Sequence, residues 1–109
     1  MRALSAEELL NLWDVGRRQG LCDRALSVLS AACPEMTRPF LSALSLGERD
    51  RLLLRLREMV FGSELQGIVD CPACGDPMQI ALQVGDLFAP ARSFAAHWSM
   101  ADTGLSFVL

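Results

Sequence analysis

Along the first sixty or so residues apolar positions recur every three or four places; beyond that they recur every second place. Ser5-Ala6-Glu7-Glu8 has the form of a capping box, in which Ser5 accepts from the Glu8 backbone N–H while Glu8 reaches back. Behind it Ala6, Leu9, Leu10 and Trp13 keep helical spacing and Gly20 offers a stop, so a helix is predicted from about Ala6 to Arg18. Asp23 is the expected cap of a second helix that carries Leu26, Val28, Leu29 and Ala32 and ends at Pro34. Thr37 caps a short helical turn through Phe40 and Leu41 to Leu44. A second capping box, Ser45-Leu46-Gly47-Glu48, opens the strongest helix, and Gly62 closes it. Leu52, Leu53, Leu56, Met59 and Val60 are its expected buried face; Arg49, Asp50, Arg51, Arg55, Arg57 and Glu58 its wet side.

After Gly62 the period is that of strands. Leu65–Asp70 reads as one strand, and Met78, Ile80, Leu82 and Val84 alternate with Gln79, Ala81 and Gln83 in the next. Between them lies the tight turn Cys71-Pro72-Ala73-Cys74-Gly75, which makes the pair a hairpin. Ala89–Ser93 has linker composition. Phe94–Met100 and Leu105–Leu109, joined by Ala101-Asp102-Thr103-Gly104, suggest a second hairpin, since a soluble protein has reason to pair an apolar strand such as Leu105–Leu109. The predicted fold class is therefore α+β: a helical region at 1–62, about four helices, followed by a small antiparallel β region at 63–109. At 109 residues the two are best taken as one domain.

Charge narrows the function. The chain carries a net charge of −3 and a pI near 5.0, the wrong balance for tracking phosphates, so nucleic acid is not the expected partner. The arginines around Arg49–Arg57 interleave with Glu48, Asp50 and Glu58, as on a solvated or protein-docking face. Apolar runs are too short for a bilayer span, and the N-terminus turns acidic where a signal peptide would be apolar, so a cytoplasmic location without membrane contact is expected. In that compartment the four cysteines are thiols or metal ligands sooner than disulfides.

Cys71 and Cys74 stand in the form Cys-Pro-x-Cys-Gly, a zinc knuckle whose hairpin aims two sulfurs at one point. Two thiolates supply half a tetrahedral site; a second pair does not follow, and Cys22, Cys33 and His97 lack companion spacing. The missing ligands could come from a second copy, a partner or a longer C-terminal part, and the plain alternative is a turn whose cysteines stay free thiols. Thioredoxin-like redox chemistry fits poorly, because the pair precedes a strand and not a helix. Cys22 and Cys33 bracket the second helix and are expected as core filler. No nucleophile and base are arranged around His97, the acids are scattered, and no phosphate-cradling glycine loop is present, so catalytic residues are not expected.

Leu46-Gly47-Glu48-Arg49-Asp50 through Leu52–Glu58, then Phe61-Gly62, then Val69-Asp70-Cys71-Pro72-Ala73-Cys74-Gly75, taken in order, resemble the T-even-type phage baseplate hub assembly proteins, whose relatives occur in phage-tail-like contractile injection systems. Leu4–Trp13 and Asp23–Leu29 are similar too, so the likeness covers most of Leu4–Leu87. Family members usually continue past the strand where this chain stops. The resemblance implies a non-enzymatic assembly chaperone or structural protein that contacts hub or spike subunits and is in some cases built into the particle. It implies no catalytic residue and no cofactor; zinc at Cys71 and Cys74 is the one candidate. A homo-oligomer is a further expectation for partners. The rival reading, from another class, is a small zinc-ribbon adaptor for transcription or nucleic-acid machinery, against which the acidic pI weighs.

Overall fold

The computed structural model describes residues 1–88, 97–99 and 101–108. Four helices come first: α1 (Ala6–Gly16), α2 (Leu21–Ala32), α3 (Arg38–Ala43) and α4 (Leu46–Phe61). An antiparallel hairpin of β1 (Glu64–Asp70) and β2 (Pro77–Gln83) follows, then a 3-10 turn at Val84–Leu87. The short strands β3 (His97–Ser99) and β4 (Ser106–Val108) form a second antiparallel pair. The architecture is the expected α+β. The linker expected at Ala89–Ser93 lies outside the described residues, as do the outer parts of the strand expected over Phe94–Met100 and the terminal Leu109.

Local chemistry sets the helix ends. Both capping boxes form: the Ser5 hydroxyl accepts from Glu8 N–H at 3.2 Å and Glu8 accepts from Ser5 N–H at 2.8 Å, while Ser45 and Glu48 repeat the exchange at 3.3 and 3.0 Å. Thr37 caps α3 by accepting from Phe40 N–H. At the end of α4, Gly62 holds φ at +89°, a backbone angle that costs a side-chain-bearing residue steric strain. α2 departs from expectation. It begins at Leu21 with Gly20 as its cap and no side-chain cap bond, so Asp23 lies inside the first turn, where its charge meets the helix dipole favourably.

The core has two adjoining parts. Leu4, Ala32, Cys33 and Leu56 form one, with Leu9, Leu12 and Val60 packed against it. Leu26, Leu29 and Leu41 form the other, with Leu44, Leu52 and Leu53 around them. The segment before α1 is tied in: Arg2 N–H donates to Ala32 O at 2.8 Å, and its guanidinium pairs with Glu8. α1 and α2 approach closely at Gly16, where an added Cβ would stand 3.2 Å from Arg24 Cγ, and Arg24 Nε donates to Gly16 O at 3.0 Å.

Three sequence expectations are corrected here. α1 buries Gly16 and half-buries Leu9 and Leu12, whereas Leu10 and Trp13 are 68 % and 70 % exposed. A helix with two neighbours on one side can bury only one stripe, and the stripe runs through Leu9, Leu12 and Gly16. On α4 the expected face holds at Leu52, Leu53, Leu56 and Val60, but Met59 at its edge is exposed, and Arg49, expected in water, is buried, with Nη2 donating to Ser42 O at 3.4 Å. The long arginine stem supplies apolar contact over α3's last turn. Cys33 is core filler as expected, but Cys22 is exposed, because the earlier start of α2 puts it on the outer side of the first turn.

No helix among the described residues is long and apolar enough to cross a membrane.

Candidate functional site: an amphipathic hairpin and its cysteine tip

The register of the first hairpin decides which side chains share a face. Leu65 pairs with Leu82, Gly67 with Ile80, and Val69 with Met78. Directly opposed residues project to the same side of a sheet, and alternate pairs to opposite sides. One face is therefore Leu65, Val69, Met78, Ile80 and Leu82 around Gly67. The other holds Glu64, Gln66, Ile68, Asp70, Gln79 and Gln83. Gly67 leaves a gap on the apolar face that Ile80 fills, its Cγ1 lying 3.6 Å from where a Cβ would be.

Among the described residues no helix closes over that apolar face, although Leu65 near its base is half-buried. Every residue of β2 is exposed, and Val69, Met78, Ile80 and Leu82 each show 37–42 % of their surface. Alternation that in most sheets marks a core-facing side here marks a side that stands in solvent. The hairpin is joined to the helical part at its base. Val84 is wholly buried and its N–H donates to Ser63 O at 2.8 Å; Phe88 lies beneath the guanidinium groups of Arg55 and Arg51, 4.6 and 5.6 Å from its ring centre. Asp86 accepts from Gln83 N–H and turns the chain out of β2.

At the far end Cys71 N–H donates to Asp76 O and Gly75 N–H to Cys71 O, both at 2.8 Å, closing the turn expected there. Gly75 sits at φ +77°, which lets the loop fold back under the sulfur of Cys71. The backbone N–H groups of Cys74 and Ala73 and the Cys74 thiol donate to that sulfur, and they hold the Cys71 thiol below its ordinary pKa. The closed turn places both cysteines at the far end of the hairpin. Cys74 is exposed and Cys71 half-buried. Among the described residues no group of three or more Cys, His, Asp or Glu could hold a metal. The turn brings Cys71 and Cys74 together; Cys22 and Cys33 are on α2 and at its end.

A second apolar area lies on the helices. Leu9, Leu12, Trp13, Gly16, Arg17 and Arg24 line a shallow groove between α1 and α2, with Trp13 standing proud at its rim. The hairpin face was within reach of sequence reasoning, since the alternation was plain; what the alternation lacked was any signal that the described helices leave much of it exposed. Comparison of the chain with family models, with curated proteins and with solved structures returned no match.

Proposed function

We propose that this protein is a non-enzymatic assembly or structural component of the baseplate of a contractile phage tail or phage-tail-like injection system, acting on hub or spike subunits through its first hairpin. The observation that carries the reading is the solvent-facing apolar side formed by Val69, Met78, Ile80 and Leu82. A two-stranded ribbon is marginal alone, and a contiguous apolar face left open is the mark of a surface awaiting another protein. The ordered resemblance of Leu46–Gly75 to baseplate hub assembly proteins supplies the kind of partner. Among the described residues no third strand pairs with the edges of the ribbon, so a partner strand can add to it by main-chain hydrogen bonds. Assembly takes place in the cytoplasm in this reading, with retention in the particle as one outcome.

The test is co-expression with the hub and spike subunits of a contractile tail or injection system, followed by co-purification. Ile80→Asp and Leu82→Asp should each weaken the complex tenfold or more, equal to at least about 1.4 kcal/mol, because a carboxylate cannot be desolvated against an apolar partner. Thermal melting of the free variants should keep the helical transition of the wild type, since neither residue belongs to the helical core. Failure of the wild-type protein to associate with any hub or spike subunit overturns the proposal. A shift of duplex DNA at low salt would transfer it to the adaptor class.

A further inference from the structure

The cysteine tip makes a second assembly event available, one that does not depend on the baseplate reading. A knuckle offers two thiolates, and a structural zinc ion takes four ligands in tetrahedral array. The two sulfurs sit at the convex end of a projecting ribbon with Cys74 exposed, so the chain's own helices raise no wall against a second molecule approaching end-on. A two-fold axis through a metal at that end doubles two thiolates into four without any further residue type, and a two-fold interface is the commonest way for identical chains to associate. We propose that two copies of this protein join tip to tip through one zinc ion, each copy supplying Cys71 and Cys74.

Features around the tip support this assignment. Cys71 N–H donates to Asp76 O and Gly75 N–H to Cys71 O, both at 2.8 Å, so the turn that carries the two sulfurs is closed by its own backbone. Asp70 and Asp76 flank the turn. Two such acidic tips repel each other in the absence of metal, so association is metal-dependent rather than constitutive. Binding displaces the remaining thiol protons to solvent, four thiols becoming four thiolates around one divalent cation.

The full chain, purified under a phosphine reductant and loaded with zinc alone, is measured for bound metal by plasma emission and for mass by sedimentation equilibrium. The expected result is about one zinc for every two chains, with a dimer that returns to monomer on adding a strong chelator. Cobalt in place of zinc should give the intense visible absorption of a tetrahedral four-thiolate site. Cys71→Ser and Cys74→Ser should each abolish metal uptake and dimerisation together while keeping the helical circular-dichroism signal, and Cys22→Ser should leave both intact. One zinc per chain in a monomer means that the site is closed within a single molecule, and overturns the proposal. So does a dimer indifferent to zinc and chelator, or a monomer that takes up no metal. None of these results bears on binding to hub or spike subunits, so the two readings fail separately.

Discussion

Single residues in this fold differ sharply in what they contribute, and spacing along the sequence does not rank them. Leu56 is 4 % exposed in the core beside Leu4, Ala32 and Cys33, whereas Met59, one turn further along α4 and of similar size, is 47 % exposed. Leu56→Ala should therefore destabilise by about 2–5 kcal/mol through lost burial and the cavity left behind, while Met59→Ala should stay within about 0.5 kcal/mol. Urea unfolding of both variants checks the pair, and equal losses would mean that the α4 stripe is placed wrongly. Arg49 shows the limit of reading from type alone. A charged residue was expected in water, yet its stem is buried over α3 because the rotation of α4 that buries Leu56 also turns position 49 inward.

Elements were the most legible level. Both capping boxes, the Thr37 cap, the Gly62 stop and the cysteine turn are short-range chemistry, complete within a few residues, and each was visible before any tertiary contact was known. What was not visible was which side of an element is covered. Leu10 and Trp13 on α1 have helical spacing but face away from α2, and the alternation of β2 is intact while its apolar side stays open. Coverage depends on neighbours distant in sequence, and periodicity holds no record of them. The candidate site followed the same division: the tight turn was readable from Cys-Pro-x-Cys-Gly, the face of the hairpin only from the register. The first element also carries a pH dependence. The Glu8 carboxyl is held down from 4.5 to about 2, first by the Arg2 guanidinium and then by Ser5 N–H. A carboxyl depressed in the folded state stabilises it fully above its unfolded pKa and loses that contribution as pH falls from about 4.5 toward about 2. Acid unfolding followed by circular dichroism should show Arg2→Ala less sensitive than wild type across that interval, with the two curves parallel above pH ~5. An unchanged acid limb would mean that the Arg2–Glu8 pair is absent in solution.

At the scale of the whole molecule the chain divides into a helical part with a core and a ribbon that borrows stability from it. Among the described residues the joint includes Val84, wholly buried, and Phe88 under Arg51 and Arg55. Val84→Ala removes two buried methyl groups, which at about 0.8 kcal/mol each plus a cavity term amounts to roughly 2 kcal/mol. Amide exchange should reveal where that loss falls. β1 and β2 should lose protection in the variant by more than α2 does, because the helical core has its own buried leucines to hold it. Uniform loss throughout the chain would show that ribbon and helices unfold as one unit.

That joint sets the mechanics of the tip. A strand of seven residues at about 3.3 Å each carries Cys71 about 23 Å from the base at Glu64. The base is gripped by one buried valine and one ring under two cations, so the ribbon is a lever with its bearing at the helical part. On an arm of about 23 Å, a tilt of about 10° at the bearing sweeps the sulfurs through roughly 4 Å, farther than a hydrogen bond is long. The end that must meet its target most accurately is thus the end with the widest swing. The same arm that lets the tip search a volume for a second molecule also hands whatever grips it there a long moment with which to fix the orientation of the helices behind.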